Sequence, residues 1–375
     1  MKLELIAATT FGLEAVVKRE IQALGYQIIS TENGKVTFAG DERAIVRANL
    51  WLRSADRVLI KLDEFRAQES EELFQRVKGY EWERLIPMDG KFTVTCSTVK
   101  SKLRSEPNNQ KTVKKAIAMR LADFYSAGML PETGAEYQIK LTLLKDRATI
   151  TCDTTGAGLH KRGYRQNPVA APLKETLAAA MVQLTYWREG RLLVDPCCGS
   201  GTIAIEAAMI GRNIAPGIQR HFVSEEWDLP GEEMWKEERR QAYAAIRYDA
   251  DVRILASDID GEAVKAAEEN AARAGVDDCI SFARMDARRL QANEEGGIVI
   301  TNPPYGERIG NRKDIESLYA GLREFFATNP TWSLFLLTAD KDCEELVFGR
   351  KADRRRKLYN GRLEVCYYQF HGERR

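Results

Sequence analysis

Only three histidines occur in 375 residues, and the seven cysteines contain no Cys-x-x-Cys pair. His160, His221 and His371 are scattered, so no metal is expected, and neither a zinc ribbon nor a secreted disulfide framework fits the cysteine spacing. No apolar run approaches the roughly 20 residues of a membrane span, and the N-terminal MKLELIAATTFGLEAVVKRE lacks a signal peptide's cleavage pattern. A cytoplasmic protein with no membrane segment is the expectation. An excess of one charge is missing too: 56 Lys and Arg against 55 Asp and Glu leave a net of +1, so affinity for nucleic acid must come from local patches. The absence of G-x-x-x-x-G-K-[ST] argues against a triphosphate cradle.

What is present divides into two patterns. Residues 3–8 read as a strand, 12–24 as an amphipathic helix ended by Gly25, and 26–30 and 35–38 as strands about the Glu32-Asn33-Gly34 turn. A helix near 41–49 and a strand at 57–62 complete a small βαββαβ unit. A second unit follows, with helix 70–78, strand 91–97, helix 111–124 and strands 137–144 and 147–153, closed by Gly156 and Gly158. Between Lys91 and Arg120, eight basic residues face one acid, Glu106. On a helix Lys111, Lys114 and Lys115 share a face, and the Lys100, Lys102 and Arg104 loop extends it. Charge runs are commonly solvated faces, but the single sign favours contact with RNA phosphates.

From Pro168 helices (172–187, 201–211, 237–247, 261–274, 314–327, 341–347) alternate with strands (191–196, 253–259, 280–285, 297–301, 332–338, 363–370). That alternation predicts a doubly wound α/β domain with a hairpin-like end. An acidic stretch from Ser224 to Glu238, with Trp227 and Trp235, reads as an inserted excursion. The basic run Arg350 to Lys357 fits an exposed hairpin better than an RNA guide.

Four strand ends carry candidate chemistry. The loop Asp195-Pro196-Cys197-Cys198-Gly199-Ser200-Gly201-Thr202 lies between a strand and a helix, and its glycines permit a tight turn and close backbone approach. On the loop alone a nicotinamide cofactor remains conceivable. Asp258, ending the next strand, can bond both hydroxyls of a ribose; Asp260 is a second candidate whose alternative use is a helix cap. Asp286, after the third strand, can accept from an adenine amine. After the fourth comes Asn302-Pro303-Pro304-Tyr305. Its prolines remove two backbone donors and leave the carbonyl before them as an acceptor. Together with the Asn302 side chain that carbonyl can hold an NH2 group, while Tyr305 offers a face for a planar base. Hydrogen bonds from both N–H groups to fixed acceptors favour the pyramidal geometry that frees the amine's lone pair. The protonated amine formed on methyl transfer is acidic enough to lose its proton to water. Cys197 and Cys198 are read as packing, and Glu206 as either a cofactor neighbour or structural.

This order of motifs resembles class I S-adenosylmethionine-dependent methyltransferases of the amino-methylating kind. With Gly158-Leu159-His160-Lys161-Arg162-Gly163-Tyr164-Arg165 and Ala171-Pro172-Leu173-Lys174-Glu175-Thr176, it resembles THUMP-containing RNA guanine-N2 methyltransferases, particularly the first methyltransferase half of the bacterial 23S rRNA enzyme. The resemblance implies a ferredoxin-like domain (1–65), a THUMP RNA-binding domain (66–157) and a Rossmann-like catalytic domain (158–375) with a seven-stranded mixed sheet. It implies the donor S-adenosyl-L-methionine, the product S-adenosyl-L-homocysteine, and no second methyltransferase unit. By resemblance Asp195, Gly199 and Gly201 line the methionine side with Cys197 and Ser200 beside them. Asp258 and Ile259 meet the ribose, Asp286 and Ala287 the adenine, and Tyr164, Asn167, Leu173 and Glu175 lie near the cofactor. Lys161 and Arg162 are candidate phosphate contacts, and the equal alternative for His160-Lys161-Arg162 is a linker anchored on the catalytic domain. The expected reaction is methyl transfer to the N2 amine of a guanine in 23S rRNA. The alternatives are a tRNA guanine-N2 enzyme, a DNA adenine-N6 or protein-glutamine methyltransferase, and a non-catalytic RNA-binding assembly factor. No obligate protein partner is inferred.

Overall fold

The computed structural model describes residues 2–165, 173–304 and 312–373. Tyr305 and Asn167, two of the expected site residues, lie outside them. The first half supplies strands β1 (Leu3–Thr9), β2 (Gln27–Glu32), β3 (Lys35–Gly40), β4 (Ala55–Arg66), β5 (Lys91–Val99), β6 (Glu136–Leu144) and β7 (Arg147–Asp153). They form one seven-stranded sheet in the order β2-β3-β1-β4-β7-β6-β5. Helices α1 (Glu14–Ala23), α2 (Glu42–Trp51), α3 (Ser70–Lys78) and α4 (Glu106–Tyr125) pack against it. Burial on one face only shows in β6, where Tyr137, Ile139, Leu141 and Leu143 are buried and alternate with more exposed residues.

β4 joins what the sequence suggests are two units. Residues Ala55 to Lys61 pair antiparallel with β1, and Leu59 to Arg66 pair antiparallel with β7. The βαββαβ part and the basic part therefore share a strand and a continuous hydrophobic core.

The second half supplies helices α5 (Glu175–Gln183), α6 (Thr202–Gly211), α7 (Glu232–Ala244), α8 (Gly261–Ala274), α9 (Arg312–Thr328) and α10 (Cys343–Phe348). Its strands are β8 (Leu193–Asp195), β9 (Ile254–Asp258), β10 (Ile280–Arg284), β11 (Ile298–Thr301), β12 (Ser333–Thr338), β13 (Arg354–Asn360) and β14 (Leu363–Phe370). Their order is β10-β9-β8-β11-β12-β14-β13, parallel through β12, with β14 antiparallel to β12 and to β13. This is the expected Rossmann-like mixed sheet with a C-terminal hairpin. Helices α5, α6 and α8 share a core on one face, and α9 and α10 share another, so all six residues of β12 are buried. Among the described residues no helix is long and apolar enough to cross a membrane.

The acidic excursion between α6 and β9 belongs to the other half's core. Trp227 stacks on Tyr137 of β6 with ring centroids 4.7 Å apart, and its Nε1 donates to the Glu136 carbonyl at 2.9 Å. Trp235 stacks on Phe222, and Glu238, 3% exposed, accepts from Arg43 of α2 at 2.5 Å. The linker 154–161 is held from the same segment: Arg220 donates to the carbonyls of Ala157, Gly158 and Lys161.

Candidate active site

β10, β9, β8 and β11 are neighbours and parallel, so the four motifs that follow one another in sequence gather on one edge of the sheet. That edge is where ligands bind in open α/β sheets. The loop after β8 is shaped by Gly199 (φ +51°) and Gly201 (φ +80°), backbone conformations that disfavour other residues. A Cβ on Gly201 would also approach that of Ala267 in α8 to 2.9 Å. Three contacts fix the loop: Cys198 N–H to the Ser257 carbonyl at 2.9 Å, Gly199 N–H to Asp258 Oδ2 at 2.9 Å, and Asn270 Nδ2 to the Ser200 carbonyl at 3.1 Å.

Asp195 is 1% exposed, and its Oδ2 has no hydrogen-bond partner among the described residues. Burial, reinforced by the nearby charge of Asp258, pushes its carboxyl up to about 7. Among the described residues Ser257 Oγ and Asn302 Oδ1 are likewise buried without partners, and Thr301 Oγ1 makes no hydrogen bond of regular geometry, although it lies near enough to Asp195 to favour the ionised carboxyl. Buried polar atoms are normally satisfied, so this concentration at one edge points to a polar ligand. Cys197 and Cys198 are poor nucleophiles here, because burial raises both thiols far above their ordinary values.

Asp258 uses one oxygen for Gly199 and the other for the Asp260 N–H at 3.0 Å, which leaves lone pairs of each open to hydroxyl donors. Asp260 caps α8, accepting from the Glu262 N–H at 3.0 Å. Asp286 is engaged by Arg288, whose Nε lies 2.9 Å from both carboxylate oxygens, and this holds the carboxyl below its usual range. An adenine amine would share Asp286 with that guanidinium. Arg288 was not singled out in the sequence, and only its spacing of two from Asp286 could have flagged it. Ile259 is 60% exposed and Ala287 buried, flanking the two aspartates. These acids and unpartnered acceptors fit the ribose hydroxyls, amines and cationic centre of S-adenosylmethionine. Among the described residues no group of His, Cys, Asp and Glu is placed to hold a metal ion.

Behind the loop lies a buried ionic network. Arg162, 3% exposed, pairs with Glu206, 0% exposed, at 3.3 Å and donates to the carbonyls of Leu159 and Arg53. Its assignment as a phosphate contact is therefore corrected: the guanidinium is enclosed and committed. Tyr164, also buried, donates to Glu206 Oε1 at 3.2 Å. Arg165 pairs with Glu175 at 3.2 Å and donates to the Leu173 carbonyl and to Thr202 Oγ1. Tyr164, Leu173 and Glu175 are thus brought to the start of α6, next to the loop. Lys161 remains exposed.

In the first half, Lys100, Lys102 and Arg104 line one open cleft of about 510 Å³. Lys111, Lys114 and Lys115 are exposed on α4, where Lys114 lies over the Phe92 ring and Lys115 over Phe74. Arg120 is withdrawn into a pair with Glu83.

Comparison with known proteins matches three family models in chain order: an RlmL ferredoxin-like domain over residues 4–59, a THUMP domain over 67–153 and an RMKL-like methyltransferase domain over 162–369. The Bacillus subtilis protein named "Putative RNA methyltransferase YpsC" is 48% identical over 98% of this chain and 96% of its own length. "Ribosomal RNA large subunit methyltransferase K/L" of Syntrophotalea carbinolica is 34% identical over 98% of this chain and 53% of its own length. The crystal structure of "SMU.472, a putative methyltransferase complexed with SAH" superposes with a TM-score of 0.95 at 44% identity, covering 100% of this chain and 99% of that one. The strand order, the acceptor-lined edge and these matches agree, and the chain belongs to the RMKL-like methyltransferase family.

Proposed function

We propose that this protein is an S-adenosylmethionine-dependent RNA methyltransferase whose acceptor is the exocyclic N2 amine of a guanine in 23S rRNA. Family membership supports methyl transfer, and the names of two relatives support RNA, one of them large-subunit ribosomal RNA. The chain spans about half of the ribosomal relative, 53% of its length. When bound, S-adenosylmethionine supplies a methyl group on a sulfonium centre.

The observation that carries the reading is Asn302. It follows the buried Thr301 at the end of β11, its Oδ1 is a buried acceptor without a partner among the described residues, and Pro303 fixes the backbone beyond it. An amine donating two N–H bonds satisfies such acceptors, and a ring nitrogen without a hydrogen does not. Asp195, buried next to the loop, places negative charge on the donor side. Lys100, Lys102, Arg104, Lys111, Lys114 and Lys115 form the surface assigned to RNA phosphates, with Lys161 nearer the catalytic domain. A guanine held at this edge would be unstacked from its helix.

Mass mapping of modified nucleosides in rRNA and tRNA from a deletion strain tests the acceptor. Loss of one N2-methylguanosine from 23S rRNA is expected, restored by the wild-type gene and not by Asn302→Ala. Loss from tRNA, or loss of a methyladenosine, would replace the acceptor by one of the alternatives. Purified Asn302→Ala should lose about 100-fold or more in methyl transfer while still binding S-adenosylhomocysteine.

A further inference from the structure

A second positively charged cleft lies far from the Lys100–Lys115 surface in sequence, and nothing in the site just described uses it. It measures about 660 Å³ and is formed where α1, the end of α5 and the C-terminal hairpin meet. Lys18 and Arg19 enter from α1, Arg354, Arg355 and Arg356 from β13, and Tyr186 from the segment after α5. No acidic side chain lines it among the described residues.

The neighbouring acids are already engaged. Glu14 accepts from the N–H groups of Gly12 and Gly34 at 2.8 Å. Glu20 faces Ser54 and Gln183, and Glu344 pairs with Arg355 at 2.6 Å. Lys18 and Arg354 have no acidic partner among the described residues, and Arg19 and Arg356 reach only main-chain carbonyls. Burial, then the charges of Arg19 and Arg354, draw Arg356 below its ordinary value against a smaller opposing pull from Glu14, so these cations stand close enough to repel one another. In an open cleft water and mobile anions screen such repulsion, and a polyanion that displaces those anions gains from it. Tyr186, 53% exposed, adds an aromatic surface at the rim.

Position supports an extended ligand. Gln369 of β14 pairs with Phe335 of β12, whereas Thr338, at the catalytic edge, pairs with Cys366. Three residues of strand separate the two levels, about 10 Å. A polyanion that reaches the catalytic edge can continue along this side of the molecule.

We infer that this cleft is a second RNA site, in which Lys18, Arg19, Arg354 and Arg356 hold phosphodiester groups and Tyr186 stacks an unpaired base. The inference rests on the reading that the substrate is RNA. The phosphates bound here belong to nucleotides other than the one methylated, so the cleft contributes to substrate affinity and not to the transfer step.

The test uses the full chain and two probes, a 23S rRNA transcript and a fluorescein-labelled 20-nucleotide oligouridylate. The double variant Arg19→Glu/Arg354→Glu should bind both about 10-fold or more weakly, with the slope of log affinity against log salt reduced by about 2. Arg19→Lys/Arg354→Lys should retain binding within a few-fold, and Tyr186→Ala should weaken the oligouridylate about 5-fold or more. Unchanged S-adenosylhomocysteine affinity certifies the fold of each variant. Methyl transfer by the charge-reversed variant should show a raised KM for the transcript and an unaltered kcat. Wild-type affinity and salt slope in the charge-reversed variant would overturn the second site alone. Failure of the wild type to bind either RNA would overturn both this site and the RNA reading.

Discussion

Asp195 is almost completely buried, and the Cys197 N–H and the nearby Thr301 hydroxyl offset only part of the cost of its charge, so its ionised form destabilises the ligand-free fold. In an unfolded chain an aspartate titrates near about 3.9; in the fold burial moves it to about 7. Between these values the folded state binds one more proton than the unfolded state. The stabilisation is therefore complete below about pH 4 and is lost as the pH rises through about 7, a change of roughly 4 kcal/mol. Asp195→Asn removes the titration while keeping an acceptor for the Cys197 N–H. Ligand-free Asp195→Asn should melt several degrees above wild type at pH 8 and close to it at pH 4, by calorimetry. The same difference at both pH values would remove the buried-charge account. Residues of this kind were legible because a strand, a glycine turn and a helix have to follow one another around them. Arg162 was not. It sits in the run His160-Lys161-Arg162, which reads equally as a phosphate contact or as a linker anchored on the catalytic domain, and its partner Glu206 is a distant residue inside an apolar helix. Only packing of the linker onto α6 separates the enclosed Arg162 from the exposed Lys161.

Elements with local start and stop signals were the most readable. Asp260 and Gly275 bound α8, and the expected span 261–274 is the observed one. α4 begins at Glu106, earlier than its run of lysines suggests, because Ser105 caps it and Pro107 suits its first turn. β13 was legible only as part of an exposed hairpin and without strand bounds, because it is an edge strand in which Arg354, Arg355 and Lys357 stay exposed, so apolar alternation is absent. The excursion before β9 was visible as an insertion but not as a packing element, since its partners lie in the other half. Its indoles contribute as core residues, and Trp227→Ala should cost about 3–5 kcal/mol. Urea unfolding of the full chain measures this; a loss below about 1 kcal/mol, typical of surface positions, would mean that the stack on Tyr137 is incidental.

At the scale of the whole molecule, the Lys100–Lys115 surface and the cofactor edge stand on different sheets, so the contribution of that surface to recognition is separable from the chemistry. Charge reversal of Lys111, Lys114 and Lys115 together should lower RNA affinity at least 10-fold and flatten its salt dependence, the slope falling by about 2–3. S-adenosylhomocysteine affinity, measured by calorimetry on the same variant, should not move. Equal RNA affinity for variant and wild type would assign α4 to solvent. A net charge of +1 conceals this arrangement, because the compensating acids are concentrated elsewhere, notably between Ser224 and Glu238.

The loan of Phe222, Trp227 and Trp235 to the first sheet's core also sets a schedule for synthesis. The last strand of that sheet, β7, ends at Asp153, and Trp235 follows roughly 80 residues later, about 4–16 s at ordinary elongation rates. For that interval the emerging first half presents an incomplete apolar surface beside the ribosome. Completion of that core therefore waits on a segment made with the catalytic half.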